Sequence, residues 1–191
     1  YTGPITVTES CQVKAVAMNK GVEKDVLTID IPLHKALGKN VTCSRKAHPR
    51  YAAGLPKSLV DGIRGPQIFK SEEWGAWNGA PVALTIDMEQ TEPYSSVTVG
   101  MISDKPSYVF FPEKIVVEVS EDGENFREVA VADNGVENET DPDMLKDFTL
   151  TFPETSARYI KVTIEPVKNI PDWHYAAGRR TYVFVDELIV R

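Results

Sequence analysis

Apolar residues recur at every second position through most of this chain. Val82, Leu84, Ile86 and Met88 point one way, with Ala83, Thr85 and Asp87 between them. The same period runs through Val97, Val99, Met101 and through Ile115, Val117, Val119. It returns in Phe148, Leu150, Phe152, in Ile160, Val162, Ile164, and in Tyr182, Phe184, Leu188, Val190. Strict alternation is the mark of a strand with one buried face, and no segment keeps a helical stripe for more than a turn or two. Residues 142–148 are the best candidate for a short helix. Short strands of this kind, separated by turn signals, predict an all-β domain, an antiparallel β-sandwich or barrel.

Upstream, Ile5/Val7, Val13/Ala15/Ala17 and Leu27/Ile29/Ile31 predict three further short strands, the first within residues 1–9. Pro32 and His34 mark a division, giving a segment 1–33 and a main domain 34–191. About thirty residues bury too little surface to fold alone, so the first segment must lean on something else. The chain opens inside a predicted strand, as expected of a piece of a longer protein.

The lengths of the connections carry the first functional signal. If successive strands run up and down, the links 89–95, 121–125 and 153–157 share one pole, and all are short. Ser120-Glu121-Asp122-Gly123 reads as a tight hairpin turn. The links 65–80, 103–113, 133–147 and 166–180 share the other pole, and all are long. Long loops in a compact domain usually carry function. All three tryptophans, Trp74, Trp77 and Trp173, fall in this set. So do Asn78, Tyr108, His174, Tyr175, Arg179 and Arg180.

Charge narrows the partners. With 28 acidic against 21 basic residues, the net charge is −7, which argues against nucleic acid or an anionic membrane surface. No apolar run is long enough for a membrane-inserted helix. Cys11 and Cys43 have no metal-ligand spacing and are expected to be free thiols. The chain has no Gly-x-Ser-x-Gly, no His-Glu-x-x-His and no glycine-rich phosphate loop, so it is expected to be non-catalytic.

Several stretches resemble the coagulation-factor type C, or discoidin, domain. They are Leu59-Val60-Asp61-Gly62, Leu84-Thr85-Ile86-Asp87-Met88, Phe110-Phe111-Pro112 running on to Val117-Glu118-Val119-Ser120-Glu121-Asp122-Gly123, and Phe184-Val185-Asp186-Glu187-Leu188. Within that superfamily the chain looks most like the family 32 carbohydrate-binding modules of bacterial glycosidases. The resemblance implies a galactose-binding-domain-like jelly roll over residues 34–191. The opening Tyr1-Thr2-Gly3-Pro4-Ile5 and Val13-Lys14-Ala15-Val16-Ala17 resemble the last strands of the small Ig-like domain that ends chitobiase and β-hexosaminidase. That pairing implies an upstream catalytic domain of glycoside hydrolase family 20, a β-N-acetylhexosaminidase. It also implies a bacterial protein that is secreted, periplasmic or on the cell surface. The partner expected is a glycan ending in galactose, N-acetylglucosamine or N-acetylgalactosamine.

The resemblance also implies a structural Ca²⁺ held by Asp61 and Glu187, completed by carbonyls of Ser58 and Ile63. Calcium takes six to eight hard oxygens, many from a tight turn. This sequence departs from the family pattern just after Asp61-Gly62, where Ile63, Arg64 and Gly65 replace the usual oxygen-bearing side chains. The alternative is that Asp61 caps a turn and Glu187 faces solvent.

For a sugar, an aromatic ring offers a flat apolar face to the pyranose, while a few polar groups read its hydroxyls. Trp74 and Trp173 are the expected platforms, with Asn78, His174, Arg179 and Arg180 as hydrogen-bonding groups. Trp77, nearest the strand at Pro81, is expected in the core, and Tyr108 is expected to pack with Phe110. His34 and His48 lack partners at metal spacing and read as surface residues. A structural accessory domain without a ligand is the competing function.

Overall fold

The structure is a computed structural model and describes residues 3–52 and 54–191. Tyr1 and Thr2, the start of the predicted opening strand, lie outside them. Among the described residues there is no α-helix, and hence no helix able to cross a membrane.

Strands β1 (Cys11–Asn19) and β2 (Val22–Ile31) form an isolated hairpin. Lys20 and Gly21 both take positive φ at its turn, 50° and 79°, the primed-turn geometry that matches strand twist. The first of the three predicted strands does not form: residues 4–8 carry no regular structure, because neither hairpin edge pairs with them. Cys11, Val13, Ala15, Leu27, Ile29 and Ile31 share one face by their register. That face is only partly covered, and Leu27 is 61% exposed.

The main domain holds β3 (Asn40–Cys43), β4 (Gly75–Asn78), β5 (Val82–Ile102), β6 (Pro112–Ser120), β7 (Arg127–Asp133), β8 (Leu145–Pro166) and β9 (Tyr182–Val190). Their order is β4-β9-β5-β8-β6-β7, with β3 added beside β5, and every ladder is antiparallel. β5 and β8 are bent, and their mutual register breaks at Asp87/Glu92 and Tyr94/Ser96. Val82–Asp87 pairs with β3 and with the far end of β8, whereas Ser96–Ile102 pairs with the near end of β8 and with β9. The two bent strands therefore supply both layers of an antiparallel sandwich. The predicted alternating positions fill the space between the layers: Leu84, Ile86, Val97, Ile115, Val117, Ile160 and Val162 are fully buried in one cluster.

The expected short helix over 142–148 is absent. Leu145–Phe148 belong to β8 and pair with Gly100–Ile102 and Val99, because the period of Phe148, Leu150 and Phe152 simply continues upstream. The alternation expected for the last strand also fails, since β9 is buried at nearly every position. One cause is a second apolar cluster, Phe184 with Trp74, Ala76, Ile102 and Val109, separate from the cluster that takes Val183, Val185, Leu188 and Val190; the other is a β-bulge that shifts the phase. Val99 pairs with Leu188 and Met101 with Val185, so Asp186 and Glu187 both stand opposite Gly100. A bulge breaks the alternation and re-aims its side chains.

The two poles differ as the connection lengths predict. At the short-link pole, Tyr94 Oη donates to the Ala157 carbonyl at 2.8 Å and ties the two bends together. The Asp122 carboxylate there accepts the amides of Glu124 and Asn125, each at 2.8 Å. Those hydrogen bonds hold the Asp122 carboxyl well below its usual range. The long loops gather at the opposite pole, where Ser103 bonds Met144 and Lys105 bonds Asp143.

Candidate functional site

The structure sorts the three tryptophans by depth. Trp77 lies in the main core, as expected, with Nε1 donating to the Arg45 carbonyl at 3.2 Å. Trp74 is corrected: it is 1% exposed and offers no platform. Its ring packs with Ala76, Ile102, Val109 and Phe184, and its Nε1 donates to the Pro66 carbonyl at 3.1 Å. Gly65 makes room for it, since a Cβ there would overlap the indole. Trp173 is half-buried and tilts against Phe110, 6.0 Å between centroids.

His174 is corrected as well. Its Nε2 donates to the Lys105 carbonyl at 3.0 Å and its Nδ1 accepts from the Ala176 amide at 3.0 Å. With both ring nitrogens engaged and the residue buried, it is a bracket between two long loops and has no donor left for a sugar. Tyr108 packs in the Phe110 cluster, as expected. Arg179 is exposed and reaches Tyr108 Oη at 3.4 Å.

What the long-loop pole does contain is an aromatic cleft of about 140 Å³. Tyr51, Phe69, Tyr182 and Phe184 line it, with His48, Arg50 and Ser107 among the polar groups. The rings hold one another edge-on: Tyr51 is 4.8 Å from Phe184 and 6.0 Å from Phe69, and Phe69 is 5.4 Å from Phe184. Phe184 is buried at the base, Tyr51, Phe69 and Tyr182 are half-buried, and Lys70 Nζ lies 5.5 Å from the Phe69 centroid. His48 opens the 3-10 turn Pro49–Tyr51, and its Nδ1 accepts from the Arg50 amide at 3.3 Å. In the neutral ring the hydrogen then sits on Nε2, a donor ready for a hydroxyl. Among the described residues Arg50 has no carboxylate within 4.0 Å.

None of the sequence-predicted site residues lines this cleft. Asn78 pairs with Tyr182 across β4 and β9, so the two share a face of the ladder. Arg180 lies over Gly79, where any Cβ would strike its side chain. His48, Tyr51, Phe69 and Tyr182 were not expected in a site. The available signal was His48-Pro49-Arg50-Tyr51, a ring-rich and polar quartet in a stretch without strand period.

Four other depressions are larger but less suited to a sugar: one of about 430 Å³ beside Pro32, Arg64 and Asp147 has no aromatic ring, and in one of about 300 Å³ the single ring, Phe111, is buried. One of about 370 Å³ sits at the short-link pole, and its single ring, Phe126, is already covered by Lys161 Nζ at 4.0 Å from the centroid. One of about 410 Å³ beside Cys43, Arg45 and Leu55 contains no aromatic ring.

Of the two expected calcium ligands, Glu187 lies among nitrogen donors and Asp61 is exposed, bonded among the described residues only within its own turn. Glu187 is fully buried; its Oε1 meets His34 Nε2 at 3.0 Å and its Oε2 accepts the Gly62 amide at 3.1 Å. His34, expected on the surface, is 8% exposed. Asp186 Oδ2 accepts from Arg64 Nε at 2.9 Å and from the Gly65 amide at 2.8 Å. Asp61 is exposed, with Oδ1 accepting the Ile63 amide at 2.9 Å. Burial pushes the Glu187 and Asp186 carboxyls above their usual range, while His34 and Arg64 respectively pull them back. Calcium needs converging oxygens, and these carboxylates face N–H groups instead. The residues present do not fit the ion.

Residues 40–178 match the F5/8 type C domain family. Solved structures share the fold at low identity. Chitosan-binding module 1 of a chitosanase/glucanase from Paenibacillus sp. IK-5 is 16% identical, covering 83% of this chain and 98% of that one, with a TM-score of 0.53. Module 2 of that enzyme, solved with chitotriose, is 18% identical over 82% and 98%, TM-score 0.51. The lectin domain of lectinolysin, solved with Lewis B antigen, is 17% identical over 83% and 96%, TM-score 0.55. A search of curated protein sequences found no match. With the family match spanning most of its length and the bent-strand sandwich in place, the chain belongs to the F5/8 type C, or discoidin, domain family.

Proposed function

We propose that this chain is a non-catalytic carbohydrate-binding module whose site is the cleft between Tyr51, Phe69 and Tyr182. The observation that carries the reading is the cleft's make-up: packed rings beside an imidazole donor and an Arg fork, at the pole where the long loops meet. Rings stack on the C–H face of a sugar, and the few polar groups select its hydroxyls. Three structures that share the fold are a chitosan-binding module, a second such module with chitotriose and a lectin domain with Lewis B antigen, which supports the class of ligand.

An open site of this size binds weakly, at about 0.1–1 mM, or roughly −4 to −5.5 kcal/mol. Weak binding suffices for a tethered module, because linkage raises the effective concentration of substrate at a joined enzyme. The parent proposed is a bacterial β-N-acetylhexosaminidase acting outside the cytoplasm. The resemblance of residues 1–33 to the end of a chitobiase-type domain supports it, as does the half-covered apolar face of the β1–β2 hairpin. Hydrolysis of a nitrophenyl N-acetylglucosaminide by the full-length protein tests that parentage.

Titration calorimetry against galactose, N-acetylglucosamine, N-acetylgalactosamine and their uronides tests the site itself. Tyr51→Ala is expected to weaken binding at least about tenfold, a loss of ~1.4 kcal/mol, while Trp173→Ala stays within about twofold. Equal affinity for wild type and Tyr51→Ala would remove the cleft as the site. The sealed positions of Trp74 and Trp77 favour the second reading, a structural accessory domain packed on its enzyme. That reading predicts no heat of binding with any sugar of the panel.

A further inference from the structure

We infer that the start and end of this discoidin domain are fastened by side-chain N–H donors, His34 and Arg64, and that no metal ion takes part. The bulge on β9 is the basis. It puts Asp186 and Glu187 together opposite Gly100, both aimed at the turn Asp61–Gly65. Two neighbouring buried carboxylates need compensation for their lost hydration. In this chain four nitrogen donors supply it: His34 Nε2 and the Gly62 amide on Glu187, Arg64 Nε and the Gly65 amide on Asp186. An ionised carboxylate only accepts, so the His34 Nε2 that faces Glu187 carries the hydrogen.

The arrangement ties distant parts of the chain. His34 opens the domain, and the Lys35 amide next to it donates to the Val190 carbonyl at 3.0 Å. Arg64 reaches a third carboxylate, Asp147 on β8, through Nη2 at 2.5 Å and Nη1 at 3.2 Å. One guanidinium therefore joins the 61–65 turn, β8 and β9, as a bridging ion would. Gly100 leaves the space for it: a Cβ there would overlap both Asp186 and Arg64.

Among the four carboxylate oxygens of Asp186 and Glu187, only Asp186 Oδ1 lacks a donor among the described residues. Apart from Asp186 Oδ1, the carboxylate oxygens at the bulge are already claimed by N–H donors, whereas calcium draws several carboxylate and carbonyl oxygens together at once. Ile63, Arg64 and Gly65, which depart from the family pattern, are thus part of the replacement itself.

Thermal unfolding of the wild type in millimolar CaCl₂ and in excess EDTA is the first measurement, with calcium titrated by calorimetry alongside. The midpoints should coincide and no saturable heat should appear. His34→Ala should lower the midpoint by roughly 6 °C or more in either buffer. Should that variant not fold, His34→Gln, which keeps an N–H donor, should fold with an intermediate midpoint. Stabilisation by calcium of several degrees, a saturable calcium heat, or a His34→Ala midpoint equal to wild type in both buffers would overturn the inference.

Discussion

Replacing Gly100 with alanine will unfold this domain at a markedly lower temperature, although it adds only one methyl group. Gly100 lies near the end of β5, still within its paired region, where alanine has no conformational disadvantage, and its φ is not positive. The obstacle is what sits above it. The new Cβ would overlap Asp186 Oδ1, itself sealed from solvent, and the Arg64 guanidinium. Asp186 is 1% exposed and sits in a bulge held by backbone hydrogen bonds, so it has little freedom to retreat. Separating it from Arg64 leaves a buried carboxylate uncompensated, at a cost of about 3–5 kcal/mol. For a chain of this size that is a fall of roughly 6–20 °C in the melting temperature. Circular dichroism melts of the variant and wild type measure it. A change of under about 2 °C would mean that the Arg64–Asp186 contact yields easily.

Trp74→Ala separates the two roles this residue was open to. As a sugar platform, its loss would weaken binding and leave stability alone. As the structure has it, the ring fills the space between Ala76, Ile102, Val109 and Phe184. Truncation should therefore cost about 3–5 kcal/mol through the cavity it leaves. Val109 and Phe184 also line the cleft, so affinity should fall together with stability. Trp74→Phe, which keeps most of the volume, should restore much of both. Acrylamide quenching gives an independent check: of the three indoles only Trp173 should be quenched appreciably. Efficient quenching of a Trp173→Phe variant would contradict the burial of the other two.

The strands and the core were legible because period two is a local property. Leu84, Ile86, Val97 and Val117 face inward for the same reason they alternate: successive side chains of a strand point to opposite faces. The polarity of the domain was legible too, since the contrast of short and long links follows from counting residues between strands. The helix expected over 142–148 does not form because the period of Phe148 extends upstream and Leu145–Phe148 pair with β5. The strand expected at Ile5 and Val7 failed because alternation says nothing about whether a partner edge exists.

The site is another matter. Its lining comes from residues 48–51, 69, 107–109 and 182–184, and no local pattern links those positions. Tyr182 and Phe184 look like ordinary inward strand positions; only the pairing of β4 with β9 turns them toward the loops. Trp74 shows the converse, since bulk and loop position suggested a platform but neighbouring loops closed over it.

Local periodicity thus determines which residues form strands, which face of each is apolar, and which pole has chain to spare. Tertiary structure alone decided the rest: that β9 bulges opposite Gly100, that His34 and Arg64 meet the paired acids there, and that scattered rings share one cleft. The physical reason is range. Alternation acts between neighbours along the chain, whereas burial of a carboxylate or exposure of a ring is settled by segments more than a hundred residues apart, as the contacts of His34 with Glu187 and of Arg64 with Asp186 show.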